Sequence, residues 1–277
     1  MSADVDLAGA ISTLETRLPV LERLWEQSAG ELNHLDALVV VVQGASLPGL
    51  RKQVADAAAA RGVICPVRVV ADLGVGVSRS RNAALAAAGT EYVWFLDDDV
   101  RLVPGAVARI REFMAGHAAD IYCGRVRDPD TACLYKHYRE GGILRRLELL
   151  RVSSIEMVVA VRVWAAGVSF PERLGLGASL PAGEEAVFLL NACDAGRVTV
   201  HMPFPIVEHA AAEDRSFRQA WKSPARAMAQ GVVARRVGGV AGVAVLARWG
   251  WRMVRVGLPL RQLVPLAQGF MRAGTFL

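Results

Sequence analysis

The 277-residue sequence lacks the long hydrophobic run of a membrane-spanning protein. No stretch reaches the ~18 uninterrupted apolar residues that a membrane span needs, although 53% of the residues are hydrophobic. The opening residues, MSADVDLAGAIST, also lack the basic and then apolar pattern of a signal peptide. We therefore expect a cytoplasmic protein.

Cysteine is scarce as well. The four cysteines, Cys65, Cys123, Cys133 and Cys193, do not have the close spacing of metal ligands. A cytoplasmic protein keeps such thiols reduced. The cysteines therefore predict neither a disulfide framework nor a cysteine metal site.

Acidic residues are absent from residues 215–277, which contain eleven Arg or Lys. The first 214 residues contain 21 basic and 27 acidic residues, so the net charge of +5 conceals two oppositely charged parts. Such asymmetry indicates different partners for the two parts. We predict one domain over residues 1–212 and a basic helical extension over residues 213–277.

Strands and helices alternate four times over the first ~115 residues, which is typical of βαβ units and a parallel sheet. The predicted strands are Val5–Ile11, Ala37–Val42, Val67–Ala71 and the run that begins at Tyr92. The predicted helices are Leu18–Gln27, Leu50–Arg61, Ser78–Ala88 and Pro104–Gly116. Beyond them we expect strands at Ile121–Val126 and Val198–Val207, a helix at Gly183–Ala195 and a polar loop at Arg127–Arg146. The fold class is therefore α/β, with a mostly parallel central sheet flanked by helices.

The segment Tyr92–Val100 (YVWFLDDDV) carries the strongest chemical signal. Its apolar residues suit a strand buried on both faces, and three carboxylates follow directly. Open α/β sheets bind ligands at the carboxyl ends of their strands, and hard oxygen ligands suit Mg²⁺ or Mn²⁺. The alternative is a solvated acidic turn that caps the next helix.

Four segments, in this order and spacing, resemble the GT-A glycosyltransferases of family 2. They are the G-x-S-x-x-R-N turn Gly76–Asn82, the DxD-like Asp97–Asp99, Phe170–Glu172 followed by Gly183–Glu185 in place of G-E-D, and Glu208–His209 at a strand end. The resemblance covers roughly residues 5–230. It implies the GT-A nucleotide-diphospho-sugar transferase fold and inverting, metal-dependent transfer of a sugar to an acceptor hydroxyl.

The resemblance also implies roles for individual residues. Mn²⁺ or Mg²⁺ would be held by Asp99, with Asp97 and His209 as further ligands. Glu185 would act as the general base, and Glu184 would orient the acceptor or the sugar hydroxyls. The implied donor-binding residues are Asp97, Asp98, Arg81, Asn82, Gly76 and Asp72.

Simpler interpretations of the same residues remain open. The helix N-terminus after Gly76 favours phosphate, but Arg81 and Asn82 could instead join strand ends by hydrogen bonds. Asp98 could instead hold the acidic turn. Glu184 and Glu185 could serve only the helix dipole, and His209 could be an ordinary surface residue.

The sequence departs from the family pattern at the end of the second strand. Many relatives have an acid there that contacts the donor base, whereas this chain has Gln43. We therefore consider Asp72 as a substitute contact to the base or ribose.

The basic extension mixes arginine with tryptophan and aliphatic residues. Arg248, Arg252 and Arg255 recur at helical spacing beside Trp249, Trp251 and Met253. This pattern favours a peripheral helix on an anionic membrane at the inner face of the cell membrane. A helical cap on the catalytic domain is the alternative, and no recognition motif supports nucleic-acid binding.

The expected partners are a nucleotide-diphosphate sugar and a glycan or lipid-linked acceptor, in cell-envelope or polysaccharide assembly. Two other functions stay open. A nucleotidyltransferase on a similar sheet would release pyrophosphate, and an inactive membrane-associated scaffold would not turn over a donor.

Overall fold

A single mixed sheet forms the centre of the computed structural model, which describes residues 5–46, 48–210 and 221–277. Its strands are β1 (Leu7–Leu14), β2 (Ala37–Gln43), β3 (Val67–Asp72), β4 (Tyr92–Asp97), β5 (Arg101–Leu102), β6 (Ile121–Arg127), β7 (Gly142–Ile143), β8 (Met157–Ala160) and β9 (Thr199–Glu208). The helices are α1 (Leu18–Leu32), α2 (Leu50–Ala60), α3 (Val77–Ala87), α4 (Ala106–Gly116), α5 (Val161–Ala165), α6 (Glu184–Asp194), α7 (Pro224–Val237), α8 (Gly239–Arg255) and α9 (Leu263–Met271).

The strand order places a topological switch beside β1. The sheet runs β3-β2-β1-β4-β8-β6-β9-β5, and β7 pairs with β9. The strands β3, β2, β1 and β4 are mutually parallel, as are β6 and β9, whereas β8 runs antiparallel between β4 and β6. Because the chain winds from β1 to one side and returns to β4 on the other, a crevice opens at their carboxyl ends.

The first strand continues past its predicted end. It begins at Leu7 and continues through Leu14, three residues beyond the predicted end at Ile11. Ser12 pairs with Val41 on one side and with Asp97 on the other, and Thr13 pairs with Val42. The backbone therefore stays extended through polar residues, which reach the ligand-binding edge of the sheet.

The predicted helical extension is present and packs on the sheet domain. Ala229, Val232 and Val233 of α7 share a buried apolar cluster with Leu174 and with Val187 of α6. Hydrophobic burial therefore joins α7 to the segments around α6. Within the described ranges, no helix combines the length and hydropathy needed to cross a bilayer.

Two glycines allow α7 and α9 to cross in backbone contact. A Cβ added at Gly269 would lie 1.9 Å from the Met228 carbonyl oxygen, and one at Gly231 would lie 2.0 Å from that of Leu266. These distances leave no room for a methyl group unless the helices separate. The close crossing therefore depends on glycine at both positions.

We expect Gly269→Ala to destabilise the protein by about 1–3 kcal/mol, the usual cost of overpacking a core. Gly250→Ala in α8 is the matched control, because its Cβ would meet nothing nearer than Leu263 Cδ2 at 3.5 Å. That variant should be neutral or stabilised by up to ~1 kcal/mol through helix propensity. Urea unfolding of both variants measures the difference, and equal midpoints would contradict the close crossing.

Candidate active site

A cavity of about 520 Å³ opens at the carboxyl ends of β1, β2 and β4. Seven of the predicted site residues line it: Asp97, Asp98, Asp99, Arg81, Glu184, Glu185 and His209. They come from four separate parts of the chain. The fold therefore gathers most of the sequence-predicted site into one cavity.

The carboxylates of the acidic turn after β4 have different surroundings. Asp99 Oδ1 lies 3.3 Å from His209 Nε2, and Asp99 Oδ2 lies 3.3 Å from Arg17 Nη2. The hydrogen bond from His209 lowers the pKa of Asp99. Burial raises the pKa of Asp97, although the positive charge of Arg81 acts in the opposite direction. Asp99 is therefore easily ionised, whereas the ionised form of Asp97 requires nearby positive charge to stabilise it.

Asp98 lines the cavity, but its carboxylate is engaged within the protein. Thr13 Oγ1 donates to Asp98 Oδ2 at 2.6 Å, and Arg17 Nε donates to the same oxygen at 2.9 Å. A second Arg17 donor reaches Oδ1. Asp98 therefore ties the acidic turn to the end of β1, which supports the structural alternative for this residue over its predicted contact with the donor.

His209 is aimed at Asp99 by its surroundings. It directly follows β9, whose last residue Glu208 forms ion pairs with Arg101 and Arg127. The hydroxyl of Tyr135 contacts His209 Nδ1. These contacts fix the strand end and the ring, and they leave Nε2 towards Asp99.

The pair Asp99–His209 fits an open divalent metal site, in which the ion would replace the proton that His209 Nε2 donates to Asp99. Its ligand atoms lie 3.3 Å apart, close to the ~3 Å between neighbouring ligands of an octahedral Mg²⁺ with bonds of about 2.1 Å. Among the described residues no group of three or more His, Cys, Asp or Glu side chains is arranged as a metal site. Mg²⁺ commonly binds through one or two protein ligands, waters and substrate phosphates. Two side chains are therefore enough for an ion shared with a diphosphate.

Arg81 organises the two predicted catalytic glutamates. Its Nη1 lies 3.1 Å from Glu184 Oε1 and 3.5 Å from Glu185 Oε1. Its Nη2 donates to Ser154 Oγ at 2.6 Å. The guanidinium is buried and holds both carboxylates at the start of α6. The sequence had left two roles open for Arg81, donor binding and a structural role, and these contacts are structural.

The environment of Glu185 suits a proton acceptor. Burial, followed by the neighbouring charge of Glu184, raises the pKa of Glu185 to about 8. A base is most effective when its pKa lies near the working pH. The carboxylate of Glu185 can therefore both accept and release a proton near neutrality.

The start of α6 is positioned by the helical extension. Gly183 has a φ of +88°, and a Cβ there would lie 2.6 Å from Val233 Cγ2 of α7. On the other side, a Cβ on Gly175 would lie 3.0 Å from Glu184 Cδ. Both glycines permit close approach of neighbouring segments, so α7 supports the loop that presents Glu184 and Glu185.

The Gly76–Asn82 turn is used differently from its predicted role in phosphate binding. The N–H of Gly76 donates to Gln43 Oε1 at 2.6 Å, and the N–H of Val77 donates to the Leu176 carbonyl at 2.9 Å. These two donors at the N-terminus of α3 are therefore already used. Asn82 exchanges two hydrogen bonds with the backbone of Phe170, so it joins α3 to the loop before α6, as the structural alternative stated.

Asp72 does not line the cavity, in contrast to its predicted contact with a base or ribose. Its carboxylate accepts hydrogen bonds from Arg79 Nε and from the N–H of Gly74. The turn after β3 is thereby closed on itself. Gln43, at the end of β2, does line the cavity.

Sequence reasoning missed three residues that shape the cavity: Arg17, Tyr135 and Ser154. Each belongs to a different loop and to none of the recognised motifs. The only sequence signal was at Arg17, a basic residue between the first predicted strand and the first predicted helix. Tyr135 and Ser154 gave no signal, because their contacts are with residues 74 and 73 positions away.

The sequence of this chain matches a known protein family. The family model described as glycosyl transferase family 2 matches residues 15–166, more than half of the chain. The chain belongs to this family. The prediction of a glycosyltransferase is thereby confirmed.

Solved glycosyltransferase structures share the fold. S. aureus TarS residues 1–349 has a TM-score of 0.68 and 14% identity, over 97% of this chain and 81% of that chain. A mannosyltransferase from Pyrobaculum calidifontis, solved with GDP-Man and Mn²⁺, has a TM-score of 0.61 and 14% identity, over 98% and 75%. No curated protein matches the sequence. The GT-A fold is confirmed, with the C-terminal helices present.

Proposed function

We propose that this glycosyltransferase moves a sugar from a nucleotide diphosphate to an acceptor hydroxyl with inversion and with Mn²⁺ or Mg²⁺. The observation that carries the proposal is the arrangement of Glu185 in one cavity with the acidic turn. A carboxyl group with a raised pKa lies there beside Arg81 and Glu184. This arrangement supplies a base on one side and a metal-binding carboxylate on the other.

The chemistry of this chain is a single displacement. Glu185 accepts the proton of the acceptor hydroxyl as its oxygen bonds to the anomeric carbon. The bond from that carbon to the diphosphate breaks, and one displacement inverts the configuration. Glu184, held by Arg81, orients hydroxyl groups of the acceptor or sugar.

Asp99 and His209 would hold the divalent ion, and Asp97 lies in the same cavity. When bound, the ion supplies a Lewis acid that offsets the charge of the leaving diphosphate. The TarS structure with UDP-GlcNAc and the mannosyltransferase with GDP-Man and Mn²⁺ support a nucleotide-sugar donor and a divalent ion.

We expect turnover to release a nucleoside diphosphate. The full-length protein is first screened by thermal shift against nucleoside diphosphates with Mn²⁺, and the sugar donors of the preferred nucleotide are then assayed. Chromatography of the products separates nucleoside diphosphate from pyrophosphate. Pyrophosphate would identify the nucleotidyltransferase alternative, and a bound donor that is never consumed would identify the inactive scaffold.

We also propose a peripheral position at the inner face of the cell membrane, with a glycan or lipid-linked acceptor in envelope or polysaccharide assembly. Support comes from eleven basic residues and no acid across residues 215–277. Each basic residue near an anionic leaflet contributes about 1 kcal/mol. Arg248, Arg252 and Arg255 are all exposed, which supports such contacts.

The structure changes one part of the predicted membrane face. Trp249 packs edge to face on Trp221, and Met253 is buried. Of the three apolar residues named from the sequence, Trp251 alone is exposed, with 61% of its surface accessible. Helical spacing had placed Trp249, Trp251 and Met253 beside the arginines. In the structure only Trp251 remains available there.

A further inference from the structure

The helix α8 exposes an apolar stripe along its whole length. The stripe consists of Val240, Val243, Ala244, Ala247, Trp251 and Val254. These positions follow the i, i+3, i+4, i+7 spacing that aligns residues on one helix face. Within α8 only Gly242 and Met253 are buried. A helix normally buries its apolar face, whereas α8 presents this one to solvent.

A second stripe lies on and just before α9. It consists of Leu260, Val264, Ala267 and Met271, all exposed, again at helical spacing. The two helices touch, because a Cβ on Gly250 of α8 would lie 3.5 Å from Leu263 Cδ2. The stripes therefore belong to one helical unit, which we call the α8–α9 hairpin.

Both stripes point away from the rest of the protein. Gly242 of α8 approaches the Ala234 carbonyl of α7, and Gly269 of α9 approaches the Met228 carbonyl of α7. At about 100° per residue, each glycine lies nearly half a turn from the centre of its own stripe. The hairpin thus packs on α7 by its small residues and leaves its larger apolar residues outside.

The charges beside the stripes indicate which partner can bind the stripes. Arg248 and Arg255 border the stripe of α8, and Arg261 and Arg272 border that of α9; all four are exposed. No acid lies between residues 215 and 277. A second copy of this surface would bring like charges together, whereas an anionic bilayer offers acyl chains and phosphates at matching depths.

We propose that the α8–α9 hairpin inserts its apolar stripes into the headgroup region of an anionic bilayer, with the arginines on lipid phosphates. This inference rests on the peripheral membrane position proposed above and adds an apolar anchor to it. Arg255 lies over the ring of exposed Trp251, 4.8 Å from its centroid, which places a cation beside the aromatic residue. Because α7 contacts both the hairpin and the start of α6, the anchor also fixes the cavity relative to the membrane surface.

Flotation of the full-length protein with vesicles tests the anchor. The vesicles contain phosphatidylglycerol and phosphatidylcholine in equal parts, and binding is measured at low salt and at about 1 M NaCl, where the Debye length is ~3 Å. The stripe variant is Val243→Ser/Val254→Ser/Val264→Ser, which keeps every arginine and Trp251. The matched control is Ile64→Ser/Leu134→Ser/Leu147→Ser, three exposed apolar residues elsewhere. The charge variant reverses Arg248, Arg255 and Arg261 to Glu.

The parent and the control should bind at low salt and remain partly bound at high salt. The stripe variant should bind at low salt and lose at least about tenfold in high-salt partitioning, since 1.4 kcal/mol corresponds to tenfold. The charge variant should lose binding at low salt. Brominated lipids should quench the parent more than Trp251→Phe, and donor turnover of the stripe variant in solution should be unchanged.

Equal high-salt retention of the parent and the stripe variant would overturn insertion and leave charge attachment standing. A parent that ignores anionic vesicles at low salt would overturn both. A parent dimer that the stripe variant converts to a monomer would assign the stripes to self-association instead. None of these results bears on glycosyl transfer, which is measured separately as donor turnover.

Discussion

Glu185→Gln is expected to lower kcat by about a hundredfold or more, the range lost when a general base is removed. Glutamine keeps the shape of the side chain but cannot accept a proton. Glu185 pairs with Arg81 and is not one of the proposed metal ligands. Nucleotide binding with Mn²⁺ should therefore stay near normal. Glu184→Gln is the matched variant, and a more severe loss there would exchange the two assigned roles.

The pH profile gives a second readout of the same residue. A base acts in its deprotonated form, so kcat/KM of the parent should rise with pH and level off above the pKa of about 8 at Glu185. The Glu185→Gln variant should lose this limb. A parent profile that stays flat between pH 6 and 9, around that value, would contradict the assignment.

Stability separates loss of the base from loss of the fold. A carboxyl whose pKa is raised on folding contributes stability in its protonated form, and that contribution is lost as pH rises from its ordinary 4.5 towards 8. Glutamine cannot ionise and escapes this loss. We therefore expect the variant to melt at or above the parent temperature at alkaline pH, which a misfolded variant would not do.

Asp99→Ala is expected to abolish metal-dependent turnover, with a loss comparable to or larger than that of Glu185→Gln. The reason is that the Asp99 side chain is half-exposed and that its Oδ1 lies 3.3 Å from His209 Nε2. Removing it would take away one of the two proposed protein ligands for an ion that would contribute several kcal/mol of charge stabilisation. The test titrates Mn²⁺ into the parent and the variant, with nucleotide binding and turnover as readouts. Full parent activity in excess chelator would contradict metal dependence.

Asp98→Ala is the matched control for the acidic turn. Its carboxylate is bonded to Thr13 and Arg17, so its loss should lower the free energy of unfolding by about 1–3 kcal/mol. Asp99→Ala, at a half-exposed side chain, should change stability much less. If the two variants exchanged these effects, the structural and metal-binding roles of the neighbours would be reversed.

Local patterns in the sequence were enough for the core elements and for most of the cavity. The predicted apolar strand Ala37–Val42 is buried throughout, and β2 adds only Gln43 to it. The acidic turn lies at the carboxyl end of β4, and the helix after Gly183 begins with both glutamates. These features follow from hydrophobic period and from motifs whose residues are adjacent in the chain.

Tertiary structure alone decided which polar residues face the cavity and which hold the fold. Asp98 and Asp99 are neighbours, yet the first is bonded to Arg17, 81 positions away, while the second faces His209. Arg81 meets Glu184 across 103 positions. No local pattern encodes such pairs, because the partner of a charged side chain depends on which strands and loops pack beside it. The same holds for α8, where the sequence period predicted an amphipathic helix. The packing of Gly242 on α7 decided which face of α8 is buried, so Trp251 is exposed while Met253 is buried.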